Sequence, residues 1–544
     1  MSIAKPSLTW SPEAIEALRI MNDTRENLFL TGRAGTGKST LLTEFRRHTK
    51  KRIAVLAPTG VAAVNVGGQT IHSFSGFKPN ITLKKVKKLP DDNKKVKVLE
   101  KLDAIVIDEI SMTRADLLDC FERFLRLNRK NKSGGDLPFG GLQMIFIGDL
   151  YQLPPVVTSS EKSAFETLYD SPYFFSAKSF VPGNFRFIEL EKVYRQSDSG
   201  FIRLLNAIRN NSVDEEDFAG LNARYMPDNV GAGRNAGMRA KKGTGLEIGG
   251  KGKADNFTVC LTSTNAKATE INTANLEQLP GNEHVFTASI TGSFDRSHMP
   301  TDEVLRLKVG AQVMLLNNDP GGKWVNGTMA VIEDIDEYNG ITVRLETGKS
   351  HVVSTNEWDV FEYYVDGGGL KTKTTGSFTQ YPLKLAWALT IHKSQGKTFD
   401  EVIIDIGRGT FAHGQLYVAL SRCRTLQGIT LRQPLQKRHV IMDWRVVRFV
   451  TSIQYAKSEE KCSLDDRVAM IARAIADKSA LAVTYLKNND EKSRRVIEPL
   501  RVGEMEYKGK NYLGVEAFCR LRQDVRVFRV DRMLEIKRCG DAGY

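Results

Sequence analysis

The sequence predicts an α/β protein: doubly wound, mainly parallel sheets in tandem, with small β-barrels attached. Three observations lead there. Residues 27–31 are a short apolar run that ends in Gly32-Arg33-Ala34-Gly35-Thr36-Gly37-Lys38-Ser39, and residues 39–48 then carry apolar side chains on one side, as a helix does. This strand–loop–helix order is the setting a phosphate-binding loop requires. The runs at 52–58, 104–109 and 143–149 are β-branched and almost wholly apolar until a polar residue closes each one. Strands buried on both faces of a parallel sheet have that composition, and ligands gather at their carboxyl ends. Lastly, 544 residues suggest roughly three or four domains, so the phosphate loop accounts for only the first third.

The later elements follow in order. A second set of buried-strand runs begins near 185–196, continues at 257–265 and finishes at 401–407, which predicts a second α/β domain. Between them, residues 231–253 are rich in Gly, Lys and Arg and are expected to form a surface insertion. Residues 305–364 alternate in short stretches broken by turn residues, as in a small antiparallel barrel. Residues 443–476 have a helical pattern, and 481–537 return to short strands.

Composition narrows the class. Hydrophobic residues make up 41% of the chain, enough for packed cores. No segment approaches the ~18 consecutive apolar residues that span a bilayer, and the N-terminus lacks a secretory pattern. The six cysteines contain no C-x-x-C pair, which reads as reduced thiols in a cytoplasmic protein. A net charge of +14 favours polyanionic partners without proving one. The lysine-dense stretch 84–101 reads equally as a solvated face or a binding patch.

The chemistry lies in the polar residues that close the strands. Gly32, Gly35 and Gly37 let backbone amides wrap a phosphate, Lys38 reaches the β- and γ-oxygens, and Ser39 ligates Mg²⁺. Asp108 suits the metal shell and Glu109 the attacking water, although an acidic pair can also simply cap a strand. Gln152, after the strand ending at Asp149, is placed to sense the γ-phosphate; the alternative is a rigid turn stiffened by Pro154 and Pro155. Arg195 and Arg422, both expected in the second α/β domain, would reach across a cleft to the transferring phosphoryl group. Near His72 and His392 the Ser, Thr and Lys side chains suit phosphates, and Phe74 or Phe77 offers a stacking surface. A buried structural histidine is the bland alternative for each.

Read in order, "GRAGTGKS", "APTGVAAVNVGGQTIHSF", "VIDEISM", "PFGGLQMIFIGDLYQLPPV", "LEKVYRQ", "LAWALTIHKSQGKTFDEVII" and "YVALSRCR" resemble the motifs of superfamily-one type B helicases, most closely the Pif (petite integration frequency) family, over about residues 8–431. The resemblance implies two RecA-like domains and ATP-driven 5′→3′ movement along single-stranded or forked DNA by a monomer inside a bacterial or phage-infected cell; G-quadruplexes and RNA–DNA hybrids are substrates on which the sequence leaves the choice open. It implies catalytic roles for Lys38, Asp108, Glu109, Gln152, Arg195 and Arg422, and Mg²⁺ on Ser39 and Asp108. Nucleotide contacts fall on Gly32, Ala34, Gly35, Thr36, Gly37, Lys38, Ser39, Thr40 and Gly396. DNA contacts fall on Pro58, Thr59, His72, Ser73, Phe74, Thr390, His392, Lys393 and Gln395. The implied division is residues 1–190 (with a wedge insertion at about 75–97), 191–304 with 381–436, an SH3-like insertion at 305–380, a helical linker at 437–476 and a last domain at 477–540. One position departs from the pattern: the family's adenine-reading glutamine corresponds to Ala14.

The last domain resembles a WYL domain, an SH3-like barrel, with Asn511-Tyr512-Leu513 in place of the eponymous triplet. That resemblance implies a nucleic-acid or nucleotide-like ligand on Tyr485, Tyr512, Arg520, Arg522, Arg526, Arg529 and Arg532. Strand alternation alone would place Arg526 and Arg532 on one side and Arg529 on the other. Besides a helicase, a remodelling translocase or a WYL-dominated regulator fits the sequence.

Overall fold

The structure is a computed structural model that describes residues 10–78, 81–129, 136–227, 257–294, 299–336, 339–366, 369–407, 409–507 and 509–539. The insertion expected at 231–253 lies outside them. The chain divides into two compact units: one runs to Ile441, and the other holds Met442 onward together with Asn210–Ser212.

The first unit opens with helix α1 (Pro12–Asp23), started by the Ser11 side chain, which accepts from the Ala14 N–H, and by Pro12 at its first turn. Its buried face, Ala14, Ala17, Ile20 and Met21, packs on the first sheet. That sheet contains β1 (Asn27–Gly32), β2 (Ile53–Ala57), β3 (Gln69–Thr70), β4 (Ala104–Ile107), β5 (Gln143–Ile147) and β6 (Phe185–Leu190), in the spatial order 3-2-4-5-1-6, all parallel. Its core joins Leu28, Leu30, Val55, Val106, Ile145 and Ile147 to Leu41, Leu42 and Phe45 of helix α2 (Lys38–His48). Assigning 185–190 to the second set of strands is corrected here. β1 sits inside the sheet and needs a partner on each edge, and Phe185–Leu190 pairs with it residue for residue from Asn27↔Phe185 to Gly32↔Leu190.

The second sheet has four parallel strands in the order Ala388–Thr390, Thr258–Thr262, Glu401–Asp405 and Ile429–Leu431. The inserted β region is larger than 305–364. A five-stranded antiparallel sheet runs Ser350–Val353, Gly340–Leu345, Met329–Asp336, Gln312–Leu315 and Leu383–Leu385. A long hairpin, Asn356–Asp366 with Gly369–Gln380, pairs with Ser289–Gly292, and His284–Thr287 pairs with Val304–Leu307. Thus strands at 284–292 and 383–385, expected in the second α/β domain, are spent on this insertion, where Leu305, Leu307, Val313, Leu315 and Leu383 share one core.

In the second unit, helices Trp444–Lys461 and Leu464–Ala476 lead to a five-stranded antiparallel sheet in the order Asp524–Arg529, Lys510–Cys519, Lys492–Tyr507, Leu481–Leu486, Met533–Arg538. Ile471 and Ala474 cover the sheet through Val483, Ile497, Val515 and Phe528. All six cysteines are free thiols, four of them buried. No helix among the described residues is long and apolar enough to cross a membrane.

Candidate nucleotide and nucleic-acid site

The phosphate loop joins the carboxyl end of β1 to α2. Gly37 caps α2 at φ +87 with no side-chain acceptor, so the first N–H groups of the helix stay directed at the loop's concavity, where an anion is favoured. Lys38 Nζ donates to Gly32 O at 2.6 Å and to Arg33 O at 3.1 Å. Burial lowers its pKa, opposed by Asp149, Glu109 and Asp108. Thr36 and Ala34 are buried, while Ser39 and Thr40 are exposed.

Asp108 and Glu109 close β4. Glu109 stands in the left-handed region at φ +50, a conformation costly for a side-chain-bearing residue. Burial raises Asp108 to about 6, and burial together with Asp108 raises Glu109 to about 7; Lys38 opposes both shifts. A carboxylate pair this poorly compensated fits a divalent cation, which Ser39 and Asp108, lining the same cavity, would share with phosphate oxygens and water. Asp149, fully buried after β5, accepts from the Tyr151 N–H at 3.1 Å and from Gln152 Nε2 at 3.1 Å, which fixes the Gln152 amide in the loop.

Arg195 and Arg422 both face this end of the first sheet. Arg195 lies five residues past the end of β6, in the segment that leaves the first sheet and leads to the helix Ser199–Arg209. The position a Cβ would take on Gly35 is 2.5 Å from Arg195 Cβ, and the Tyr194 N–H donates to Gly35 O at 2.8 Å; only glycine allows this approach. Arg195 Nη1 and Gln196 Nε2 both donate to Ser421 O, at 3.1 and 3.2 Å. Arg422 is 1% exposed, with Nε donating to Val418 O at 2.9 Å and Nη2 to Ser421 Oγ at 2.8 Å. Burial and the facing Arg195 pull its pKa down, Glu109 and Asp149 hold it up, and a guanidinium stays charged throughout.

Two residues at this site were not singled out from the sequence. Tyr194, half exposed, brings its ring to 3.9 Å from the Cβ position of Gly37. Tyr417 accepts from the Ala34 N–H through its hydroxyl at 3.0 Å. An aromatic beside Arg195 is a weak local signal for the first; nothing in the sequence marks the second.

A cavity of about 990 Å³ runs from Ser39, Asp108 and Glu109 past Thr59 to Thr390, His392, Lys393, Gln395 and Gly396. Thr59 Oγ1 accepts from the Ala62 N–H at 3.3 Å, beside Pro58. Thr390 is buried, its hydroxyl accepting from the Lys393 N–H at 3.3 Å. His392 stacks at 6.4 Å and 17° on Phe411, which is 63% exposed and lines the same cavity. His72 and Ser73 are half exposed on helix Ile71–Ser75. Phe74 corrects the expectation of a stacking surface: it is 7% exposed and meets Phe121 edge-on at 6.2 Å, because its side of this five-residue helix faces the core. Phe77 is half buried against Phe124.

In the second unit, Arg529 lies 5.3 Å from the Tyr512 ring centroid, pairs with Asp531 at 2.6 Å, and donates its N–H to the Tyr485 hydroxyl at 3.4 Å. Arg520 pairs with Glu498 at 2.9 Å and Arg526 with Asp524 at 3.8 Å. The strand ends at Arg529, and Arg532 belongs to the 3₁₀ turn Val530–Arg532, so alternation does not extend to it. Arg522 is exposed in the preceding turn.

Two sheets with buried parallel strands around one phosphate loop define a P-loop nucleoside triphosphatase with tandem RecA-like domains. Residues 12–218 match the PIF1-like helicase family, 385–429 the UvrD-like helicase C-terminal domain and 466–538 the WYL domain. The ATP-dependent DNA helicase PIF1 of Rattus norvegicus is 35% identical over 86% of this chain and 68% of its own length. ATP-dependent DNA helicase Pif1 of Bdellovibrio bacteriovorus is 32% identical over 81% and 91%. The human relative extends further: this chain spans 63% of it. Among solved structures, Bacteroides sp Pif1 in complex with ADP-AlF4 matches with a TM-score of 0.70 at 34% identity, over 82% of this chain and 97% of that one. The chain belongs to the PIF1-like helicases and is an ATP-dependent DNA helicase carrying a WYL domain.

Proposed function

We propose that the protein moves 5′→3′ along single-stranded DNA and displaces the paired strand, with ATP hydrolysed between the two RecA-like domains. The observation that carries this reading is the meeting of Arg195 and Arg422 at the phosphate loop, Arg195 against Gly35 and Arg422 within charge range of Glu109. The loop Gly32–Ser39, with Thr40 behind it and Gly396 across the cleft, holds the triphosphate, and Lys38 leaves its two carbonyls for the phosphate oxygens. Mg²⁺, held by Ser39 and Asp108, supplies charge neutralisation. Glu109 takes a proton from water as the water oxygen bonds the γ-phosphorus and the β–γ bridging bond breaks; burial holds this carboxylate near neutral pKa, where it accepts a proton readily. Arg195 and Arg422 stabilise the charge on the transferring group, and Gln152 registers its departure.

Pro58, Thr59, His72, Ser73, Thr390, His392, Lys393 and Gln395 grip the strand's phosphates, so affinity falls steeply with salt. The working division keeps 1–190, 191–283 with 386–436, an insertion covering 284–385, a linker at 437–476 and the WYL domain at 477–540. Single-stranded and forked DNA are the partners; Bacteroides Pif1 has been solved bound to ssDNA, and a second similar structure concerns unwinding at forked dsDNA by two coordinating Pif1 helicases. The chain acts as an intracellular monomer. The WYL domain takes single-stranded DNA or a regulatory anion near Tyr485, Tyr512 and Arg529, whose guanidinium already lies over an aromatic face. Duplexes with a 5′ or a 3′ tail test the motor: ATP-dependent unwinding of the 5′-tailed duplex, lost in Lys38→Ala, is expected. Unwinding confined to 3′ tails, or full activity in Lys38→Ala, overturns it.

A further inference from the structure

A single short helix, Gln415–Leu420, touches the nucleotide site at three separate places. At its start, Gly414 (φ +70) lies against the Gln152 loop: a Cβ there would be 2.2 Å from Tyr151 O and 2.6 Å from Gln152 O. The preceding His413, buried, has Nε2 3.0 Å from Leu150 O and donates to it in the Nε2–H tautomer. Its ring neighbours those of Tyr151 and Tyr173, and the Arg209 guanidinium covers Tyr151 at 3.7 Å. One turn into the helix, Tyr417 places its hydroxyl on the Ala34 N–H of the phosphate loop at 3.0 Å. Just past the helix, Arg422 returns its Nε to Val418 O. The Gln152 loop, the phosphate loop and the buried guanidinium are therefore tied to six consecutive residues.

We infer that Tyr417 is a positioning residue of this ATPase: its hydroxyl seats the helix on the phosphate loop, and the Gly414 contact seats it on the Gln152 loop, so that Arg422 is held at the height of the γ-phosphate. The inference rests on the roles given above to Arg422 and Gln152. Loss of the γ-phosphate that shifts Gln152 shifts Gly414 with it, since the two backbones already touch. The helix then carries that shift to Arg422 and Tyr417, and the second domain is released from the loop. The phenol itself makes no bond with the reacting atoms. Its hydroxyl is engaged by the Ala34 N–H and its ring is buried, so its part is to hold the two lobes in register.

Tyr417→Phe removes the hydroxyl and keeps the packed ring. In the full-length protein, with saturating oligothymidylate, kcat for ATP is expected to fall about tenfold, the factor carried by one lost hydrogen bond. ADP affinity is expected to stay within about twofold, while affinity for ADP–aluminium fluoride falls with kcat, because only the transition-state geometry needs Arg422 in place. In an Arg422→Lys background the same change is expected to add little, since the group it positions is gone. An unchanged kcat in Tyr417→Phe overturns the inference, as does a fall matched by equal loss of ADP affinity, the mark of general distortion. Full activity in Arg422→Ala would instead overturn the role of Arg422 beneath it.

Discussion

Among the described residues, the position expected to read the adenine edge offers no polar side chain to a base. Ala14, at the position where the family's adenine-reading glutamine falls, is 4% exposed and packed with Ala17, Ile20 and Met21; its own N–H is used by Ser11. The group that remains for a base is Tyr194, half exposed and 3.9 Å from the Cβ position of Gly37, its backbone fixed by Gly35 O and its ring flanked by Lys192 at 5.1 Å. Stacking on an aromatic contributes ~1–3 kcal/mol and is nearly indifferent to which base is stacked. Sites that reject an analogue by about 10⁴ do so with buried hydrogen-bonding groups that the wrong ligand leaves unpaired. ATP and GTP are therefore expected to differ by less than about tenfold in kcat/KM. Tyr194→Ala should raise KM for both by one common factor of about 5- to 150-fold, the range that stacking energy sets. Steady-state hydrolysis of ATP and GTP, by wild type and variant, measures both. GTP at least about a hundredfold worse than ATP, or a Tyr194→Ala effect confined to ATP, would refute the argument.

Two further expectations concern the strand. Phe74→Leu exchanges one buried apolar side chain for another; it should lower stability by less than about 1.5 kcal/mol and leave oligothymidylate affinity unchanged, whereas Phe411→Ala removes an exposed ring from the cleft and should weaken the strand by ~1–3 kcal/mol, both read by denaturation and fluorescence anisotropy. Lys397 lines the same cavity, where burial lowers its pKa to about 8 and its ammonium donates to Asn326 Oδ1 at 3.0 Å. Charged below that value and neutral above it, Lys397 should lose its hold on strand phosphates as pH rises from about 7 to about 9, and Lys397→Met should flatten the affinity–pH curve. Of the other groups facing this space, His392 is kept neutral by burial and Asp108, at about 6, is largely ionised at the start of this range. Glu109, at about 7, finishes ionising within it and burial lowers the pKa of Lys393; both are retained in Lys397→Met, so the difference between wild type and variant isolates the share of Lys397.

What could be read from the sequence follows how local the physics is. A phosphate loop is made of consecutive backbone groups, so its glycines, Lys38 and Ser39 were legible from spacing alone. The acids that close β4 and the glutamine after β5 were legible for the same reason, since a buried parallel strand announces its own carboxyl end. Pairing is not local. The strand Phe185–Leu190 was assigned to the wrong sheet because its composition suits either, and only the open edge of β1 decides between them. The same holds for His284–Thr287 and Ser289–Gly292, whose alternation could not say that their partners lie in the inserted β region. Phe74 failed on a finer scale: in a five-residue helix no periodicity can develop, so which side meets Phe121 is set by the fold around it. Tyr417 is the extreme case, joined to Ala34 across 383 positions of sequence by one hydrogen bond. Coupling between the lobes of a motor needs contacts of this kind, because a rigid local element can carry a shift along itself but only a long-range contact hands it to the other lobe. The residues proposed to carry chemistry are therefore the ones a sequence declares, and those proposed to couple the domains have to be found in the structure.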